Sequence, residues 1–219
     1  MDIASKPTAE SNLARVVAAT NVGAMTTHNV ETAAAAEEAA VLAILTLAFS
    51  NDPATRWTWP DPKAYLEAFP HFAKAFGGAA FGLGSAHRIG SAGAALWLPP
   101  GASPDEAALG ALMESTADPQ TAVDGPQVMQ QMASYHPHGP HWYLPLIGID
   151  PAHQGKGLGS ALMKHVTDIC DRDSVLAYLE SSNLKNIGLY ERHGFEVLGA
   201  IQAGSSPVIT PMLRKPRRR

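Results

Sequence analysis

The chain has 219 residues, 46% of them apolar, a formal charge of −4 and one cysteine. That is enough apolar chain for the core of one globular domain, with no run long enough to cross a membrane and no second cysteine for an internal disulfide. The default location is the cytoplasm, and neither a membrane nor nucleic acid is an expected partner.

Charge is unevenly placed. Arg214, Lys215, Arg217, Arg218 and Arg219 set five positive charges in the last six residues, which against a net of −4 leaves −9 on the rest. An acidic body suits a cationic substrate. The stretch 214–219 reads as a solvated, frayed basic tail.

Met1 to His28 mixes small and polar residues without a firm period and reads as an extension outside the core, with Met25 as a possible second start. Asn29 to Ala33 is a candidate first strand. Glu37 to Phe49 has Leu42, Leu45 and Phe49 at helical spacing. Asn51-Asp52-Pro53 signals a turn, and an aromatic segment follows with Trp57, Trp59, Tyr65, Phe69, Phe72 and Phe76. Ser85 to Ile89 and Gly93 to Leu98 read as paired strands joined near Gly90 and closed by Pro99-Pro100. Two helices are predicted next, about Pro104 to Thr116 and Ala122 to Tyr135. His136, His138 and His141 lie in H-P-H-G-P-H, where prolines favour a loop and no carboxylate or cysteine completes a familiar metal spacing. No metal is expected.

His141 to Ile149 (H-W-Y-L-P-L-I-G-I) is rich in aromatic and branched residues, as a strand requires. After it comes D-P-A-H-Q-G-K-G-L-G-S, and then Leu158, Leu162, Val166 and Ile169 at helical spacing. A glycine-rich turn between strand and helix leaves several N–H groups at the helix start without partners and aligned with its dipole, which makes an anion site. Lys156 is followed by Gly157 rather than Ser or Thr, so the Walker pattern fails. Gly155, Gly157 and Gly159 give G-x-G-x-G, so the dinucleotide fingerprint fails too. Read alone, the glycines serve either a phosphate or only the turn. The one cysteine, Cys170, falls in this helix, where an inert packing thiol is expected.

Val175 to Glu180 is a short apolar strand, Asn183 a helix N-cap, and Gly194 the residue that ends that helix before Phe195. Here the two blocks acquire a common meaning. Gln154-x-x-Gly157-x-Gly159 resembles the pyrophosphate-binding signature of the GCN5-related N-acetyltransferases (GNAT), and Asn183 to Phe195, with L-Y-E-R-H-G-F, resembles that family's second acetyl-CoA segment. The segments L-T-L-A-F-S-N-D-P-A-T-R-W-T from Leu45 and A-L-W-L-P-P from Ala95 extend the likeness, over most of Asn29 to Leu213, to the puromycin N-acetyltransferase branch. Asp52 departs from that branch, which has tyrosine there.

The resemblance implies an α/β fold with a central mixed, mostly antiparallel sheet, splayed between two adjacent strands and flanked by helices, in a domain spanning 29–213. Here the splayed strands would be Trp142 to Ile149 and Val175 to Glu180. It implies acetyl-CoA as co-substrate, held by Ile147, Gly148, Ile149, Gln154, Gly155, Lys156, Gly157, Leu158, Gly159, Ser160, Asn183, Asn186 and Tyr190. A strand bulge at Ile147 to Ile149 would free main-chain groups for the pantetheine arm. Glu180 is implied as the base and Tyr190 as the proton donor to the departing thiolate. A solvated strand-end carboxylate and a packed core aromatic are the plain readings of those two. The expected function is acetyl transfer to a small-molecule amine in a ternary complex, by a monomer or homodimer. A peptide or protein N-acetyltransferase and a catalytically silent acyl-CoA-binding module are the other readings.

Overall fold

A computed structural model of the chain describes residues 28–217. The predicted extension up to residue 27, Met25 with it, and Arg218 and Arg219 lie outside the described residues. Strand β1 is short, Glu31–Thr32, and a 3-10 turn at Ala35–Glu37 leads into helix α1, Glu38–Ala48. Val41, Leu42, Ile44 and Leu45 form its buried face.

The aromatic segment is helical. Asp52 and Asp61 sit in extended backbone, and their carboxylates accept main-chain N–H bonds at the starts of α2 (Pro53–Thr58) and α3 (Pro62–Gly77). Each cap is followed by proline at the first helical position, where the missing N–H costs nothing. A single turn, α4 (Ala79–Gly82), precedes the hairpin of β2 (Ala86–Ile89) and β3 (Gly93–Leu98), with Ile89 opposite Gly93. Helices α5 (Glu106–Thr116) and α6 (Pro119–Tyr135) follow. Next come β4 (His141–Ile149), α7 (Leu158–Asp173), β5 (Leu176–Ser181), α8 (Ile187–Arg192), β6 (Phe195–Val197) and β7 (Thr210–Arg214).

The seven strands form one sheet in the order β1-β2-β3-β4-β5-β7-β6. Every pairing is antiparallel except that of β4 with β5. Burial splits between the two faces of the sheet. On one, Val41 and Leu45 of α1 and Tyr65 and Phe69 of α3 pack with Leu96, Tyr143 and Tyr178. On the other, Leu162, Met163, Val166 and Cys170 of α7 pack with Trp97, Leu144, Leu179 and Tyr190. Cys170 is fully buried, and burial pushes its thiol up to about 12, so it is an inert packing group. No helix among the described residues is long and apolar enough to cross a membrane.

One expectation fails at the end of the chain. Arg214 is not part of a solvated tail: it closes β7 and is only 2% exposed. Its Nε donates to the His193 carbonyl at 2.7 Å, and a terminal nitrogen meets Asp171 Oδ2 at 2.7 Å. The Arg217 main-chain N–H donates to the other Asp171 oxygen. One carboxylate therefore fastens the end of the described chain to α7.

Removing that carboxylate leaves a guanidinium buried and unpaired. Asp171→Ala is expected to cost on the order of 3 kcal/mol, the low end for a buried pair broken from one side, because Asp171 keeps 14% of its side chain exposed. The Arg214 hydrogen bond holds the Asp171 carboxyl below the usual carboxylate range. Its contribution is thus complete above about pH 4 and is lost as pH falls through the lower folded value. Urea unfolding at pH 7 and at stepwise lower pH would show the wild-type advantage over Asp171→Ala shrinking in acid. A constant difference would remove the pair from the account.

Candidate active site

Pro145 has no N–H to give to a ladder, and β4 becomes irregular beside it. Between Leu96 and Leu98, β3 advances two residues while β4 advances three, from Leu146 to Tyr143. The extra residue is a bulge at Leu144 and Pro145, not at Ile147 to Ile149 as expected. Those residues pair regularly with Ala95, Ala94 and Gly93. Beyond the bulge, β4 also leaves its other neighbour: pairing with β5 runs from His141 opposite Leu176 to Leu144 opposite Leu179 and ends there. From Pro145 onward the sheet is open on that side, and Ile147, Gly148 and Ile149 border the opening. Gly148 has a packing task as well, since a Cβ there would run into Ala48 of α1.

A small cavity of about 30 Å³ sits in the opening. Its walls include Leu144, Pro145 and Ile147 of β4, Glu180 and Ser182, and Tyr190 from α8. The two predicted catalytic side chains, ten positions apart in the sequence, thus meet across one space. Asn186 lines it too, whereas the Asn183 side chain caps the next turn by accepting from Lys185 N at 3.1 Å. A far larger open groove of about 670 Å³, bordered by His71, Lys74, Asp105 and Leu112, holds none of the residues singled out from the sequence.

Glu180 is the second-last residue of β5, on the same face as Tyr178. Its side chain is 5% exposed, and among the described residues neither its buried Oε1 nor the Tyr178 hydroxyl makes a hydrogen bond of normal geometry. Burial first, and the Glu180 charge next, hold the Tyr143 and Tyr178 phenols well above their ordinary value. Both therefore stay neutral beside the carboxylate.

Tyr190 is buried, and its phenol is likewise held up, by burial and then by the charge of Asp52. Asp52 does more than mark a turn. Its Oδ1 accepts from the N–H groups of Ala54 and Thr55, and its Oδ2 accepts from Ser182 Oγ at 2.6 Å. That bond ties the start of α2 to the end of β5 at the edge of the cavity. Asn-Asp-Pro is legible as a turn, but nothing in the sequence pairs Asp52 with a residue 130 positions away.

The glycine loop has the backbone an anion cradle needs. Gly155 and Gly157 have φ of 74° and 80°, a region other residues resist, and a Cβ on Gly155 would meet nothing within 4 Å. Gly157 caps the start of α7, whose first turn contains Leu158, Gly159 and Ser160. Ser160 Oγ already shares a 2.7 Å hydrogen bond with His193 Nε2. Gln154 donates to the Ile149 carbonyl at 3.2 Å, locking the loop onto β4, and Lys156 is exposed. His28 reaches the loop from the other end of the chain, its Nε2 2.8 Å from the Lys156 carbonyl. Among the described residues no group of three His, Cys, Asp or Glu side chains is placed to hold a metal ion.

Solved structures similar to this chain include acetyltransferases. A Corynebacterium glutamicum protein described as histone acetyltransferase HPA2 and related acetyltransferase is 25% identical over 87% of this chain and 97% of its own, with a TM-score of 0.59. A mosquito arylalkylamine N-acetyltransferase-like protein superposes with a TM-score of 0.55 at 11% identity, covering 85% of this chain and 99% of its own, a likeness of fold. In sequence, an uncharacterized N-acetyltransferase of Schizosaccharomyces pombe is 43% identical over 54 residues, which is 25% of this chain and only 22% of that relative. Residues 46–195 match the acetyltransferase (GNAT) family. The chain belongs to that family.

Proposed function

We propose that this protein moves an acetyl group from acetyl-CoA to the amine of a small molecule, by direct attack in a ternary complex. The observation that carries this reading is the parting of β4 from β5 with Glu180 and Tyr190 on one cavity. Acetyl-CoA supplies the activated acyl group. Gly155, Gly157, Gly159 and the first N–H groups of α7 would face its pyrophosphate, and the open edge of β4 from Ile147 to Ile149 its pantetheine arm.

An alkylammonium with a pKa of about 10 cannot attack until it loses a proton, and the departing sulfur is the conjugate base of an acid of pKa about 8.5. Glu180 accepts the first proton. Tyr190 donates to the sulfur, and a main-chain N–H near Ile149 donates to the carbonyl oxygen. We place the catalytic domain at 29–213, extended by Arg214 as the last residue of β7.

The puromycin branch is the finer reading of the acceptor class, on the segments around Leu45 and Ala95, with Asp52 as the departure nearest the acceptor. A peptide or protein acceptor is the second reading, favoured by the likeness to the Corynebacterium protein. Coenzyme A release measured across simple amines, aminonucleosides, aminoglycosides and peptides separates them. Release with peptides alone would overturn the small-molecule reading, and tight acetyl-CoA binding without turnover on any of them would leave a silent binding module.

The phosphate cradle has its own test. Gly157→Asp keeps a residue type that tolerates the left-handed region but adds a carboxylate at the helix start, so acetyl-CoA should bind about tenfold more weakly or worse. Lys156→Ala, at an exposed side chain, should change affinity by less than about threefold. Calorimetric titration of both variants, with thermal unfolding to check the fold, gives the answer. Unchanged affinity in Gly157→Asp would remove the cradle.

A further inference from the structure

Acetylation of an ammonium releases two protons from nitrogen: R-NH3+ and the thioester give the amide, the free thiol and one H+. Tyr190 gives its proton to sulfur and is restored by one of the two that nitrogen loses. The other, taken by Glu180, has to leave a carboxylate only 5% exposed before the next turnover. The loop H-P-H-G-P-H, set aside in the sequence as plain loop, lies against that carboxylate. His136, the residue that ends α6, has Nδ1 3.8 Å from Glu180 Oε1 and is 38% exposed at its side chain.

The tautomers follow from one carbonyl. His141 Nδ1 is 2.7 Å from the Gly139 oxygen, which only accepts, so His141 carries its proton on Nδ1 and offers a lone pair at Nε2. His141 Nε2 is 3.0 Å from His136 Nε2, so His136 donates there and its own lone pair lies on Nδ1. That lone pair is on the nitrogen 3.8 Å from Glu180 Oε1.

We propose that His136 is the proton exit of the active site: protonated Glu180 hands its proton to His136 Nδ1, which delivers it to solvent, while His141 and the Gly139 carbonyl hold His136 in the receiving tautomer. The transfer breaks the Glu180 O–H bond, forms an N–H bond on His136, and ends with a proton on water or buffer. Closing 3.8 Å to hydrogen-bonding distance takes a side-chain shift of about 1 Å. The other titratable groups around the pair are Tyr143 of β4, Tyr178 of β5 and Tyr135 of α6. Tyr143 and Tyr178 are held neutral, and burial keeps His141 below the ordinary imidazole range, so it serves as a fixed acceptor. The proposal rests on Glu180 as base, and its test separates the two.

Nitrogen-15 NMR of the histidine rings in the free protein is expected to show Nδ1–H on His141 and Nε2–H on His136. An Nδ1–H His136 overturns the relay. With the fastest amine found in the release assay, His136→Gln should lose about tenfold or more in kcat, keep its acetyl-CoA affinity, and recover as imidazole is added. His138→Gln, at an exposed neighbour, should match wild type. Wild-type turnover in His136→Gln, or a loss that imidazole does not repair, overturns the relay while Glu180→Gln remains slow. Wild-type turnover in Glu180→Gln removes the base itself.

Discussion

Tyr190→Phe is expected to lower kcat by about 10² while leaving acetyl-CoA affinity within about twofold. The substitution keeps the ring that packs against Phe195, at 6.3 Å between centroids, and deletes only the hydroxyl. A phenol held above its ordinary value of about 10 is fully protonated at neutral pH, so it is always ready to donate. Its weakness is the same property. Passing a proton to a thiolate whose conjugate acid has a pKa of about 8.5 in water is uphill by about 2 kcal/mol or more. Desolvation of the sulfur in the closed site reduces that difference, and the hydrogen bond contributes as charge grows on sulfur even before transfer completes.

Burial is the first cause of the raised phenol and the charge of Asp52 adds to it, making the step more uphill. Asp52→Asn removes that second contribution while keeping a cap for α2, and burial still holds the phenol up. Stopped-flow detection of free thiol, with calorimetric affinities alongside, measures the Tyr190→Phe effect. Full activity in this variant with a well-matched amine would leave Tyr190 as a core aromatic.

The side proposed for the coenzyme was legible because it is written in consecutive residues. Strand, glycine turn and helix from His141 to Asp173 appear as read, and so do Asn183 as a cap and Gly194, with φ 87°, as the helix stop. The acceptor side was not, because its groups come together only through packing. His136 meets Glu180 across 44 positions, and Asp52 meets Ser182 across 130.

Strand β7 was missed for a different reason. It carries Pro211 and ends in Arg214, so propensity argues against a strand inserted between two others. It forms because β5 and β6 supply partners on both sides and Asp171 neutralises the arginine. The bulge came earlier than expected for a local reason that was on view. Pro145 breaks the ladder by itself, and a family analogy had set the break two residues later. Helices α2 and α3 follow the same lesson. Their cap-and-proline starts, Asp52-Pro53 and Asp61-Pro62, were legible signals that the run of aromatic residues drew attention from.

Glu180→Gln is expected to lose rate in a pH-dependent way, and the shape of the loss is what identifies a base. At pH 7 an amine of pKa about 10 is free in only about one molecule in 10³. An enzyme that removes the proton from the bound ammonium escapes that limit, and an enzyme without a base does not. In Glu180→Gln, log kcat/KM should rise by nearly one unit per pH unit up to the amine pKa, since only free amine reacts. The wild type should rise less steeply, so the gap of about 10² at pH 7 narrows to roughly tenfold or less near pH 9. The glutamine is nearly isosteric and leaves Oε1 in place, and the buried face that holds it includes Tyr178 and Tyr143, both neutral. The ionisable neighbour, His136 at 3.8 Å, is 38% exposed and stays solvated, so stability should shift little. Initial rates of thiol release from pH 6.5 to 9.5 on both proteins, with unfolding midpoints as a fold control, decide the matter. A uniform loss at every pH would make Glu180 a group that shapes the site rather than one that takes the proton, and rates equal to wild type at every pH would return the role to water.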